Sequence, residues 1–161
     1  MGILERLADS EFSYWLSVSM AGFPTLIALH SVGMGAAVGL SMAVTLRLYG
    51  ALPDLGRFPV QRLLDVAMWG FTLNLVTGLL LFITRGPEYL ASGIFLLKML
   101  LVFVGTILTV AVRQRVRALA TPSGALADDG VARAMSLIAT LAWFGAVVTG
   151  RLIAYLSDLY R

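Results

Sequence analysis

Residue types that soluble proteins use for chemistry are scarce in this chain of 161 residues. It has no cysteine, which excludes disulfides and thiolate metal sites. Its one histidine, His30, cannot complete a tetrahedral zinc site unless carboxylates supply other ligands. Charged residues make up only 13% of the sequence, and it has no phosphate-binding loop, carboxylate dyad or paired nucleophile and base. The sequence therefore gives no support to hydrolytic chemistry, and any catalysis would depend on a cofactor.

Apolar residues dominate instead, at 59% of the chain with a mean hydropathy of +0.89, which is typical of membrane proteins. A helix needs about 20 apolar residues to cross the hydrocarbon core of a bilayer. Four stretches meet this requirement, at about residues 24–46, 63–84, 93–112 and 134–156. The sequence predicts one all-α integral membrane domain over residues 1–161, folded as a four-helix bundle in the lipid bilayer.

The N-terminal segment, about residues 3–20, is too polar to span a membrane but is amphipathic. At helical spacing its apolar residues share one face, opposite Glu5, Asp9 and Ser10. A cleavable signal peptide would instead begin with a basic region followed by an apolar core. We therefore expect an amphipathic helix that lies in the membrane interface.

Arginines are concentrated in two of the predicted loops. They are Arg47, Arg57 and Arg62 after the first span, and Arg113, Arg115, Arg117 and Arg133 after the third. The second of these loops, residues 113–133, contains the breakers "TPSG" and "DDG". Because positive residues in short loops stay on the cytoplasmic side, the pattern predicts a multi-pass bacterial inner-membrane protein with both termini periplasmic. The net charge of +3 is then a topology signal, and no nucleic-acid partner is expected.

Three ionisable residues fall at a similar predicted depth within the spans. His30 lies about 9 Å inside the outer end of the first span at 1.5 Å per residue, and Lys98 and Arg151 lie about as deep in the third and fourth. Charged groups at such depths must snorkel, pair or face a polar cavity. The two interpretations are a shared cofactor site, or snorkelling cations with His30 hydrogen-bonded across the bundle to Thr77 or Tyr155.

Small and sulfur-containing residues follow the histidine along the first span. Met34 is one turn from His30, and the two could bind Cu(I) as soft ligands. Gly35 and Gly39 form a small-xxx-small surface that could admit a neighbouring helix or a flat cofactor.

A haem suits the same constellation. The imidazole of His30 could occupy one axial position, while Lys98 and Arg151 could neutralise the two propionates. The second axial position would be taken by Met34, by Lys98, or by His30 of a second copy in a homodimer, or would stay open.

Three stretches resemble a known superfamily. "LHSVGMGAAVGLSMAVTLRLYG", followed by "FLLKMLLVFVG" in a later span, resembles the four-helix bacterial membrane superfamily that contains the copper-resistance D proteins and the membrane-type protoporphyrinogen oxidases. The closing "GRLIAYL" is similar to small members of that superfamily. In the oxidases a first-span His and a later-span Lys are linked to haem, and the matching positions here are His30 and Lys98. The oxidases carry a further His soon after the first span, where this chain reads "RLYGALPDLG", so the resemblance does not imply oxidase activity.

Three functions follow as hypotheses. The first is a small b-type haem or related redox protein, which as an enzyme would be a haem-dependent membrane oxidoreductase exchanging electrons with quinone or a partner protein. Its cofactor-binding residues would be His30, Lys98, Arg151, Met34 and Gly35. The second is copper handling or transport through His30 and Met34 as metal ligands. The third is a cofactor-free structural subunit of a larger membrane complex, in which the polar residues only fix helix packing.

Overall fold

The structure, a computed structural model, describes residues 2–52, 59–119 and 129–159. The described residues form six helices: α1 Ile3–Ala8, α2 Glu11–Val18, α3 Gly22–Leu48, α4 Val60–Ala91, α5 Gly93–Leu119 and α6 Gly130–Leu159. Four of them, α3 to α6, are long and apolar enough to cross a bilayer. The chain is therefore an all-helical, multi-pass membrane protein.

Four helices long and apolar enough to span a membrane lie over the four predicted stretches, and each helix is longer than its stretch. Between the third and fourth spans, α5 continues to Leu119 and α6 begins at Gly130. Both ends of the predicted loop, residues 113–119 and 130–133, are therefore helical. The breaker "TPSG" lies outside the described residues. Hydropathy marks only the length within hydrocarbon, whereas a helix satisfies its backbone hydrogen bonds internally and can continue into the polar interface.

The N-terminal segment forms two short helices where the sequence predicted one. The break falls at Asp9 and Ser10, where the Ser10 hydroxyl caps α2 by accepting a hydrogen bond from the Ser13 backbone N–H at 3.2 Å. α1 packs against α4, and α2 packs against both α3 and α4. Apolar side chains stay exposed, Trp15 at 57% and Met20 at 96%. A position in the membrane interface stays a prediction.

The bundle consists of two tightly packed antiparallel pairs, α3 with α4 and α5 with α6. The first pair crosses most closely at Gly33 and Gly70. A Cβ atom on Gly33 would lie 2.7 Å from both the backbone nitrogen of Asn74 and the carbonyl oxygen of Gly70. Gly35 and Gly39, the expected packing surface, are exposed, and no heavy atom of another described helix lies within 4 Å of a Cβ built there. The small-residue contact therefore uses a different face of α3 from the one predicted.

Hydroxyl groups join the two pairs near the end of α3 and the beginning of α6. Buried Thr45 of α3 lies 2.9 Å from the Ser136 carbonyl and 2.8 Å from the Thr140 hydroxyl of α6. Within the second pair, the Trp143 indole N–H donates to the Thr109 hydroxyl at 3.2 Å. These bonds fix how the helices meet in a bundle whose surroundings are apolar on every side.

Arginines tie the helices together at the end of the bundle where α3 and α5 finish and α4 and α6 begin. Arg113 of α5 pairs with Asp65 of α4 at 2.5 Å. Arg133 of α6 donates to the Leu48 carbonyl at 2.9 Å and lies over the Tyr49 ring. We call this the arginine end; the opposite end contains the cavity described next.

Candidate functional site

A cavity of about 970 Å³ opens where α3 and α5 begin and α4 and α6 approach their ends. Its volume lies at the upper end of the range of about 300–1,000 Å³ typical of small-molecule sites. Most of the lining is apolar or aromatic. Its polar and charged lining residues are His30, Arg85, Glu88, Tyr89, Ser92 and Lys98. This combination of a large apolar cavity and a few polar groups is that of a ligand site.

His30 is held in one orientation by α4. Its Nδ1 lies 3.0 Å from the Asn74 carbonyl oxygen and 3.1 Å from the Thr77 hydroxyl, while the Asn74 side chain donates back to the His30 carbonyl at 2.8 Å. A carbonyl can only accept, so Nδ1 carries the proton and Nε2 keeps its lone pair. The described residues give Nε2 no hydrogen bond. A backbone carbonyl on one ring nitrogen is the arrangement that orients histidines for binding a metal through the other.

Two features of α4 create the space for this imidazole. The close crossing at Gly33 and Gly70 brings Asn74 and Thr77, one and two turns further along, against α3. Gly78 then faces the ring, since a Cβ there would lie 3.0 Å from His30 Cε1. A larger residue at 78 would displace the imidazole from its hydrogen bonds.

α4 breaks beside the cavity. Arg85 has φ −145° and ψ 31°, outside the helical region, and Pro87 follows two residues later. Proline has no N–H for the helical ladder and its ring collides with the preceding turn, so a helix kinks at such a position. Arg85, Glu88 and Tyr89 all line the cavity at or after this break.

Charged groups in the cavity have no ion-pair partners. Arg85, Glu88 and Lys98 all line it, and none forms a salt bridge with any residue in the part of the chain that the structure describes. Lys98 Nζ lies close to Gly150 of α6, 3.7 Å from where a Cβ would be. Two cations against one carboxylate give the cavity a net positive charge when His30 is neutral. Lys98 lies within a predicted span, where an unpaired charge is a mark of functional sites, whereas Arg85 and Glu88 follow the predicted end of the second span at residue 84.

Aromatic rings form one wall of the cavity. Phe82, Tyr89 and Phe95 lie nearly parallel to one another, with interplanar angles of 17–25° and centroids 5.3–6.4 Å apart. The stack connects α4 on both sides of its break with the start of α5. It gives the cavity a flat apolar surface close to its cations.

The predicted site residues are partly brought together. His30 and Lys98, predicted from their shared depth and from the resemblance, line the same cavity. His30 also contacts Thr77, one of the two partners expected if the imidazole only forms a hydrogen bond across the bundle. Arg151 is exposed and does not line it, although its neighbour Gly150 does. Met34, which is half-buried, and Gly35, which is exposed, both lie outside the lining.

Sequence reasoning missed Arg85 and Gly78. Pro87 was the signal for the first, because a proline near the end of an apolar stretch indicates a kink that can redirect its neighbours. Nothing in the sequence singles out Gly78 among the glycines of the spans. The residues that the structure describes contain no group of three or more His, Cys, Asp or Glu side chains that could hold a metal ion. A metal centre on His30 alone would need the metal to arrive with ligands of its own, as a porphyrin supplies.

Searches for similar proteins found no match among family models, curated proteins or solved structures. The resemblance to the copper-resistance D and protoporphyrinogen oxidase superfamily stays an interpretation of short stretches. Function is therefore inferred from the residues of the cavity.

Proposed function

We propose that this chain is a small membrane redox protein that binds a b-type haem in the cavity, with His30 Nε2 as the axial ligand. The observation that carries the proposal is the hydrogen bond from Nδ1 to the Asn74 carbonyl, which leaves Nε2 as the free nitrogen of a residue lining a cavity of about 970 Å³.

The residues of the cavity fit a haem in three respects. A porphyrin supplies four nitrogen ligands itself, so one histidine is enough for ligation. The stacked wall of Phe82, Tyr89 and Phe95 provides apolar contact for a flat macrocycle. Lys98 lines the cavity and provides a cation for a propionate; it could ligate iron only as a neutral amine, so it cannot fill both roles.

A bound haem would supply one-electron chemistry, with quinone or a partner protein as the source or acceptor of electrons. The protein's part would be to orient the imidazole, to exclude water from its apolar face and to place positive charge at one edge. Positive-inside charge supports an orientation with the arginine end in the cytoplasm and the cavity end in the periplasm of a bacterial inner membrane.

Optical spectroscopy of detergent-purified protein tests the proposal. Wild type, His30→Ala and Met34→Leu are expressed with ample haem supply, and spectra are recorded oxidised and dithionite-reduced. We expect wild type and Met34→Leu to show a Soret band with reduced α and β bands, and His30→Ala to lose them. Met34 lies one turn from His30 on α3 but outside the cavity lining, so it is a matched control.

Other results would redirect the assignment. Absence of a Soret band from wild type would refute the haem proposal. Stoichiometric copper that is lost in both His30→Ala and Met34→Leu would establish the copper hypothesis in its place. Co-purification with a partner, with neither chromophore nor metal, would establish a structural subunit.

A further inference from the structure

We infer that Arg85, at the break in α4, binds the anionic group of the cavity's ligand, so that the site selects a flat apolar molecule carrying an acidic group. This inference rests on the proposed function for the identity of its probe, a porphyrin. It assigns to Arg85 the role that depth within the spans had suggested for Arg151.

Local backbone geometry places Arg85 at the cavity. The regular part of α4 ends at Arg85, whose φ and ψ are not helical. Pro87 follows two residues later, so the helix kinks at this point. Arg85, Glu88 and Tyr89 then line the cavity together. The break thus lies in the lining itself, with Arg85 and Tyr89 of the aromatic wall among the residues of the same cavity.

Charge balance favours an anion. Arg85 and Lys98 contribute two positive charges to the lining, and Glu88 contributes one negative charge. Glu88 forms no salt bridge with either cation, although it lies only three residues from Arg85, and no other described residue pairs with them. A carboxylate on a bound ligand would satisfy donors that the protein leaves unpaired. Arginine suits this task because its planar fork can bind a carboxylate through two parallel hydrogen bonds.

Arg151 offers the matched comparison. It is an arginine near the same end of the bundle, next to cavity-lining Gly150, but its side chain is exposed and does not line the cavity. A neutral substitution there changes the net charge of the protein by the same amount as one at Arg85. Any difference between the two variants therefore comes from position and not from overall charge.

Titration with two porphyrins tests the inference. Hemin carries two free carboxylates, and hemin dimethyl ester carries none but has the same macrocycle and iron. Dissociation constants for both are measured by absorption for wild type, Arg85→Gln, Arg85→Lys and Arg151→Gln in one detergent. For each variant we take the ratio of the dissociation constant for the ester to that for hemin. Comparing this ratio between variants cancels the difference in how the two porphyrins partition into micelles.

We expect Arg85→Gln to lower that ratio by roughly tenfold or more, as loss of a charge-assisted hydrogen bond does. Arg85→Lys should restore part of the ratio, and Arg151→Gln should leave it unchanged. Unchanged ester affinity in Arg85→Gln shows that the variant is folded.

Each contrary result has a distinct meaning. A ratio that is the same in Arg85→Gln and wild type, with the Soret band still dependent on His30, would overturn the role of Arg85 and leave the proposed function standing. A ratio lowered by Arg151→Gln alone would assign the anion to Arg151. Failure of wild type to bind either porphyrin would overturn the proposed function, and with it this inference.

Discussion

Replacing Gly33 with alanine should destabilise the bundle, whereas the same change at Gly35 should not. A Cβ on Gly33 would lie 2.7 Å from the Asn74 nitrogen and from the Gly70 carbonyl oxygen. Comfortable contacts of a carbon atom are about 3.5–4.0 Å, so α3 and α4 would have to separate by about 1 Å. Overpacking of this kind costs about 1–3 kcal/mol. The cost should be near the top of that range because both neighbours are backbone atoms, which cannot rotate away.

Gly35 is the control because it lies on the same helix in open space, with no heavy atom of another described helix within 4 Å of a Cβ. Alanine there should be neutral or stabilising by up to about 1 kcal/mol, since glycine is the poorer helix former. Unfolding is followed by tryptophan fluorescence in mixed micelles of a mild detergent and increasing SDS. Gly33→Ala as stable as wild type, or Gly35→Ala as destabilised as Gly33→Ala, would refute the packing described for α3 and α4.

Two further predictions concern the contact between α3 and α6 and the arginine end of the bundle. Thr45→Val should lower the free energy of unfolding in the same assay by about 1–3 kcal/mol, because it leaves buried groups of α6 without their partner. Ser41→Ala is the control, since that buried hydroxyl forms no hydrogen bond with the described residues. Equal effects of the two substitutions would contradict the hydrogen bonds assigned to Thr45. The Arg115 side chain lowers the pKa of Asp129, with help from the Ala132 and Val131 backbone N–H groups. A lowered folded-state pKa stabilises the protein above the unfolded pKa of about 3.9, and this contribution is lost as the pH falls through the folded value. Asp129→Asn should therefore weaken the dependence of melting temperature on pH below about pH 4, and an unchanged acid dependence would count against the Arg115 contact.

Hydropathy and helical rise predicted the parts of this structure that depend on one helix at a time. The number of spans follows from apolar length, and the shared depth of His30 and Lys98 follows from counting residues at a fixed rise. The bond between His30 and Thr77 was also within reach, because an imidazole in an apolar bundle needs a partner.

Features that depend on how a helix is rotated about its own axis could not be predicted from the sequence. α3 is apolar around its whole circumference, so no amphipathic pattern indicates which glycine faces α4. The sequence therefore could not show that Gly33, and not Gly35, makes the close crossing with α4. Arg85 enters the cavity through a local break in α4, and a regular helix count therefore could not place it. Arg151, by contrast, had the right depth but the wrong face.

Chemical rescue of a His30→Gly variant by free imidazole tests the central claim most directly, because it separates ligation of iron from support of the fold. The variant is loaded with hemin, and its absorption and electron paramagnetic resonance spectra are recorded with and without imidazole, beside hemin in micelles without protein. We expect the variant to lose the wild-type spectrum and to regain it when imidazole saturates the space left by the side chain. A wild-type spectrum in His30→Gly before imidazole is added would contradict His30 as the ligand.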